Sequence, residues 1–184
     1  MQKRETYPEF ETRHLKFRQL RIEDVHDIFQ LFSDPETMRL DGGQMMVNMD
    51  EAAQLIYAYS SFYGPAVRWA ITGRESNVFY GTAGFHHIDY FSNKAELGGE
   101  LLKKYWNLGI ASEAFPALLD FGFDNMAFNR IEALVSPQNK GAIRTIKRSP
   151  FKKEGYLRQF QRWGNQYVDL EIYSLLREEW REYR

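Results

Sequence analysis

Gly98-Gly99-Glu100-Leu101-Leu102-Lys103-Lys104-Tyr105-Trp106-Asn107-Leu108-Gly109-Ile110-Ala111-Ser112-Glu113-Ala114 is the stretch from which the fold is read. An apolar segment of strand type ends near Leu102, a short loop containing Gly109 follows, and helical spacing begins at once at Ile110. A helix start leaves its first backbone N–H groups without intrahelical partners and puts the positive end of the helix dipole behind them. Aimed into a glycine-containing loop, those groups make an anion site on the scale of a pyrophosphate. Gly109 and Ala111 are small enough for the anion to reach the backbone. A glycine before a helix is also a common plain turn, and neither a G-x-G-x-x-G run nor a Gly-Lys-Ser/Thr follows to mark a dinucleotide fold or P-loop.

Outward from this stretch, strand patterns at 67–72, 80–88 and 95–102 are separated by polar turns at 74–77 and 92–94, which predicts an antiparallel meander. Before it, alternation around Leu15 and Phe17 predicts a first strand, and residues 22–32 read as an amphipathic helix stopped by Asp34-Pro35. A second helix is predicted from Asp50, as N-cap, to Gly64-Pro65. After the loop come a helix over 110–125, a strand at 130–135, a helix over 139–148 and strands at 151–160 and 166–176. The order β α α β β β α β α β β predicts a three-layer α/β/α fold on a mixed, mostly antiparallel sheet. Pro116 predicts a kink in its helix. Pro150 cannot form a left-handed cap, so the preceding helix must end by Ser149 in another way.

At 184 residues, 43% of them hydrophobic, the chain is sized for one domain. A net charge of −1 removes the basic excess expected of a nucleic-acid binder, so nucleic acid is an unlikely partner for the molecule as a whole. The absence of cysteine excludes thiolate metal sites, disulfides and cysteine nucleophiles, and fits a reducing compartment. Residues 1–10 mix charges with aromatics and no segment has about 20 apolar residues, so a soluble, unprocessed, cytoplasmic chain without membrane contact is expected.

The run Tyr105-Trp106-Asn107-Leu108-Gly109-Ile110-Ala111-Ser112-Glu113-Ala114 resembles the acyl-CoA pyrophosphate loop of the GNAT superfamily of N-acetyltransferases, whose usual form is Arg/Gln-x-x-Gly-x-Gly/Ala. Two further stretches agree with its RimJ/RimL-like branch. These are Glu11-Thr12-Arg13-His14-Leu15-Lys16-Phe17-Arg18, with Ser33-Asp34-Pro35-Glu36-Thr37-Met38 behind it, and Asn139-Lys140-Gly141-Ala142-Ile143-Arg144 followed by Phe151-Lys152-Lys153-Glu154-Gly155. The resemblance covers residues 11–180. It implies a GNAT fold over 1–184 as a single N-acetyltransferase domain, splayed at the strand ending in Leu102, with acetyl-CoA as co-substrate and an amine acceptor. Transfer would run directly from thioester to amine, with a strand N–H polarising the carbonyl.

The resemblance implies that Leu101 and Leu102 pair with the pantetheine amides and that Asn107, Leu108, Gly109, Ile110, Ala111 and Ser112 hold the pyrophosphate. Asn139 would point its amide at the pantetheine and Ile143 would pack on it, while from the basic stretch that follows Arg144 or Lys147 is the candidate to meet the 3′-phosphate. Trp106 replaces the usual Arg/Gln donor. Ala142 and Ile146 replace the Ser and Tyr that supply an acid in relatives.

For proton removal the candidates are Glu100 and Glu96, with a glycine-rich bulge deciding which faces the acceptor, and one of His86 and His87. As strand neighbours, the two histidines are expected on opposite faces, so no metal is expected. The eight cations between Lys140 and Arg162 against the single acid Glu154 leave a second class open, a non-catalytic ribosome-binding, RNA-binding or acyl-CoA-sensing module. The acceptor, whether a protein N-terminus or a small amine, and the oligomeric state, with a homodimer compatible, are left open.

Overall fold

The computed structural model describes residues 7–184. The expectation for the N-terminal segment thus lies mostly outside the described residues. Eight strands form one sheet in the order β1-β2-β3-β4-β5-β6-β8-β7. They are β1 (Phe10–Glu11), β2 (Leu15–Gln19), β3 (Val67–Gly73), β4 (Phe79–Asp89), β5 (Lys94–Leu101), β6 (Arg130–Val135), β7 (Lys152–Trp163) and β8 (Gln166–Leu176). The predicted meander is β3-β4-β5, antiparallel throughout. The two-residue β1 was too short to leave a periodic signal.

Every residue of β3 is buried because helices cover both sheet faces. Trp69 and Ile71 enter a core completed by α4 (Ile110–Asp120) and α6 (Arg177–Tyr183). Ala70, on the other face, enters a second core beneath α1 (Val25–Ser33), α2 (Pro35–Asp41) and α3 (Met49–Ala58). This is the three-layer arrangement expected from the element order.

Three local readings are corrected. Asp34-Pro35 ends α1 but also starts α2, because Asp34 Oδ2 accepts the Thr37 N–H at 2.8 Å and proline suits a helix's first position. The cap of α3 is Asn48, which accepts from Glu51 N–H at 3.0 Å, and α3 ends at Ala58, short of Gly64-Pro65. The helix predicted over 110–125 is α4 followed by a π-turn, Phe121–Asn125, with Pro116 inside α4. The α5 helix (Lys140–Ile146) ends as Pro150 required: Ser149 donates both its N–H and its hydroxyl to the Ile146 carbonyl. The terminal α6 was not foreseen; Trp180 anchors it by donating to Asp120 at 2.8 Å.

The irregularity that shapes the molecule lies between β5 and β6. They run parallel and pair only at Lys94↔Arg130, Ala95↔Ile131 and Glu96↔Glu132. Beyond that, different layers claim them. Leu102, after β5, sinks into the α1–α3 core, while Ala133 and Val135 of β6 pack with Ile146 of α5. The strands therefore open into a cleft, and residues 97–101 have no strand neighbour on that side. The β7–β8 hairpin extends over one end of it and lays the Trp163 ring on Gly42: a Cβ there would lie 1.8 Å from Trp163 Cε2.

Across the β6–β8–β7 edge, Glu154 accepts from Arg130 and from the Ser174 hydroxyl, at 2.6 Å, which pushes its carboxyl down to about 2. A carboxyl depressed on folding contributes stability above its unfolded pKa and loses it as pH falls through the folded one. The Tm difference between wild type and Glu154→Gln should therefore shrink between about pH 4.5 and about pH 2. Thermal melts across that range test it, and a constant difference would show that the ionised carboxylate contributes nothing there.

Candidate active site

The loop before α4 turns sharply. Asn107 has φ +61° and Gly109 φ +85°, so both sit in the left-handed region. Among the described residues no side chain caps α4, and its first intrahelical bond is Glu113 N–H to Gly109 O. The N–H groups of Ile110, Ala111 and Ser112 thus have no intrahelical partner. A Cβ on Gly109 would meet nothing within 4 Å, so the approach to this helix start is open. Glu113 is held away from it: its carboxylate accepts from His14 N–H at 2.8 Å and Thr12 Oγ1 at 2.5 Å. Burial raises its pKa, but these bonds outweigh burial and leave it below the ordinary carboxylate range.

This helix start opens onto a cleft of about 620 Å³. Of the residues the sequence singled out, Leu101, Asn107, Gly109, Ile110, Ala111 and Ser112 line one wall, and Asn139 and Arg144 line the other. Asn139 Oδ1 accepts from Ala142 N–H at 3.0 Å, so its carbonyl end caps α5 and its amide end is left for another partner. Three of the residues named with them do not line this cleft. Leu102 has both backbone groups engaged, N–H to Tyr80 O and C=O from Tyr105 N–H, and its side chain is in the core. Leu108 is 66% exposed and outside the cleft. Ile143 packs inward beside Ala133 and Val135 instead of facing the cleft.

The indole of Trp106 is a donor after all, but it is committed to Leu101 O at 2.7 Å. Sequence reasoning missed Arg148, which lines the cleft and donates to Ser112 Oγ at 3.1 Å, joining the two walls. Its position one turn after Arg144 was the available signal.

The cleft continues through the splay into a second cavity of about 600 Å³, with Gly99, Glu100, Leu101, Ala111 and Asn139 shared by both. Glu96 and Glu100 project from the same face of β5, since no register shift separates His86↔Glu96 from Gly81↔Leu101; the expected bulge lies instead in β4, between His86 and Asp89. The two carboxylates differ in environment. Glu100 is buried in an ion pair with Arg68, and the Thr82 hydroxyl donates to it at 3.0 Å. The Arg68 guanidinium is flanked by the Phe32 and Tyr59 rings, 5.8 and 5.6 Å away.

Glu96, toward the solvent end, has an imidazole at each oxygen: His87 Nδ1 at 2.9 Å from Oε1 and His86 Nε2 at 3.5 Å from Oε2. The expectation that the histidines face opposite ways is corrected. His87 has φ +49° at the β4 bulge, which turns both rings to one carboxylate. Burial raises the Glu96 pKa, but His86 and His87 together outweigh it, and the carboxyl lies below its usual range.

The basic stretch does not form one stripe. Lys140, Arg144 and Arg148 face the first cleft, whereas Lys152 pairs with Glu179 and Lys153 with Glu171. Ala142 lines both cavities and Ile146 is buried, so neither position offers an acid.

Comparison with known proteins places this geometry. Residues 14–152 match the family model described as an acetyltransferase (GNAT) domain. The chain is 34% identical over 171 residues to "Uncharacterized N-acetyltransferase p20" of Bacillus licheniformis, covering 92% of this chain and 96% of that one. It is 31% identical to "Uncharacterized N-acetyltransferase YoaA" of Bacillus subtilis, covering 93% and 98%. Among solved structures, a GNAT-family acetyltransferase from Bacillus anthracis superposes with a TM-score of 0.82 at 24% identity, covering 93% and 99%. A spermidine N-acetyltransferase from Vibrio cholerae in complex with CoA and spermine superposes with a TM-score of 0.81 at 19% identity, covering 90% and 97%.

Removing one partner of a buried ion pair leaves the other charge uncompensated, at a cost of about 3–5 kcal/mol. Glu100→Ala should therefore lower unfolding free energy by up to that order through loss of the buried pair with Arg68, read from urea titration. A change under about 1 kcal/mol would mean that water reaches Arg68 and the pair is not structural.

Proposed function

The chain belongs to the GNAT acetyltransferase family, whose members use acetyl-CoA as co-substrate, and on that premise we propose how its residues divide the transfer. The observation that carries the reading is the continuous path from the uncapped start of α4, through the β5–β6 splay, to Glu96 and His87. Asn107, Gly109, Ile110, Ala111 and Ser112 hold the pyrophosphate by backbone N–H groups and the helix dipole. Arg144, with Lys140 and Arg148 beside it, meets the 3′-phosphate. Residues 97–101, without a strand neighbour, offer backbone partners to the pantetheine, the Leu101 carbonyl held by Trp106 excepted, and the Asn139 amide faces it from across the cleft.

The base is His87, oriented by Glu96. With Nδ1–H donated to the carboxylate, Nε2 is the basic nitrogen. As the amine nitrogen bonds to the acetyl carbon and the carbon–sulfur bond breaks, the amine proton passes to His87 and CoA leaves with the electron pair. Most of the acceleration comes from holding amine and thioester together. Glu100, neutralised by Arg68, supports this wall and is not the base.

The acceptor is an α-amine of low pKa, as at a peptide N-terminus, or a similar small monoamine. No acid stands at Ala142 or Ile146, and the only base identified is a surface imidazole, so an amine that is readily neutral is favoured. Deprotonating a lysine instead of an α-amine costs about 2.5 pKa units, about 3.5 kcal/mol. A polyamine such as the spermine bound to the Vibrio cholerae enzyme is suited to several carboxylates; among the described residues lining this cavity Glu100 is paired with Arg68 and Glu96 is the other carboxylate.

Two measurements test these assignments. Gly109→Glu should abolish acetyl-CoA binding in calorimetry on folded protein, because open space surrounds the new side chain and the left-handed backbone costs about 1–2 kcal/mol, a fraction of a domain's stability. Glu96→Gln and His87→Ala should lower kcat by about 10²–10⁴-fold while acetyl-CoA affinity stays near wild type. Normal affinity in the first variant, or normal turnover in both of the others, overturns the corresponding assignment.

For the acceptor, one peptide blocked at either its α-amine or its lysine is compared by kcat/KM between pH 7 and 9. The free α-amine should be the better substrate, and the reverse order would require a stronger base than His87.

A further inference from the structure

Acyl transfer asks for one imidazole at the base position, yet two consecutive ones are turned onto Glu96. Strand neighbours ordinarily point to opposite faces, and three backbone features combine to prevent that here. His87 adopts φ +49°, in a region uncommon for residues other than glycine. The β4–β5 register shifts between His86 and Asp89. Gly98, beneath His86, has no side chain, and a Cβ there would lie 2.7 Å from His86 Cε1.

The result is three donor atoms, one from each of His86, His87 and Glu96, all within 4.8 Å of one another. Ligands at about 2.0–2.2 Å from a tetrahedral ion stand about 3.4 Å apart. Each imidazole lies near that spacing from an oxygen of the carboxylate, His87 Nδ1 at 2.9 Å from Oε1 and His86 Nε2 at 3.5 Å from Oε2. Nearby Arg68 is held by Glu100, so the carboxylate of Glu96 is not claimed by a guanidinium in this cavity. His87 is reached directly from solvent.

We propose that His86, His87 and Glu96 form a binding site for a divalent transition metal of the zinc class, with its fourth position open toward the acceptor cavity. Two imidazoles and one carboxylate suit zinc, nickel or copper, and not magnesium or calcium, which take oxygen ligands. Binding does not rest on the acyl-transfer roles given above. One consequence does: an ion on these atoms withdraws the Glu96–His87 pair from proton transfer, so the metal-loaded enzyme falls silent until a chelator removes the ion.

The test uses the full chain, stripped with chelator and titrated with Zn²⁺ against a chromophoric competitor. One equivalent should bind per chain, and Co²⁺ in its place should give the visible absorption of a tetrahedral site. His86→Ala should weaken Zn²⁺ binding at least tenfold while keeping metal-free turnover, and should become insensitive to Zn²⁺ inhibition. Gly98→Ala, which keeps all three ligands but displaces the His86 ring, should also weaken binding. Zn²⁺ affinity unchanged in both variants would overturn the site. One equivalent bound by wild type with no loss of turnover would leave the site standing and remove His87 as the base.

Discussion

The separation of β5 from β6 after three residue pairs is the constraint on which the rest depends. A sheet that stayed paired would satisfy residues 97–101 internally and leave no passage. The separation persists because each strand's continuation is buried with a different layer, Leu102 under α1–α3 and Ala133 and Val135 under α5. Closing the gap would pull one of those apolar sets out of its core, at about 25 cal/mol for each Å² exposed. The opening is thus a consequence of where apolar side chains are buried, and α4 begins at its mouth because the chain must cross there to reach the other face.

Charge along the face of β5 is arranged in sequence with depth. Near the splay, Glu100 is paired with Arg68, whose own backbone is fixed by Tyr7: that hydroxyl donates to Arg68 O at 2.8 Å and accepts from Arg68 N–H at 3.0 Å. Burial pushes the Tyr7 hydroxyl up to about 12, which keeps it protonated as a donor. At the solvent end, Glu96 meets two imidazoles and no guanidinium. The inner carboxylate is therefore buried in an ion pair and the outer one is held by hydrogen-bonding rings, on a single strand.

Much of this was legible in the sequence. The turn to helical spacing at Ile110, the meander and the loop at Asn107–Ser112 follow from local pattern and local geometry, and of that loop every residue but Leu108 lines the cleft. What failed depended on long-range packing. Ile143 was expected on the ligand but turns to β6, a partner far away in sequence; Leu102 was expected to offer free backbone groups that Tyr80 and Tyr105 had already taken. Glu96 and Glu100 looked alike in the sequence, and only the presence of Arg68, 32 residues before Glu100, separates them. The convergence of His86 and His87 was invisible because alternation was assumed and no glycine marked the bulge; it was carried by a positive φ at His87 itself.

The contact of Trp163 with Gly42 joins the turn after α2 to the tip of the β7–β8 hairpin, two segments that take no part in the helix start at Gly109. With Phe160 and Gln161 they form the outer rim of the second cavity. Substitutions in this rim would reshape the second cavity while leaving the helix start at Gly109 and the first cleft intact. The two ends of the passage are thereby built by separate segments of the chain, and the outer one can be altered through a few surface residues alone.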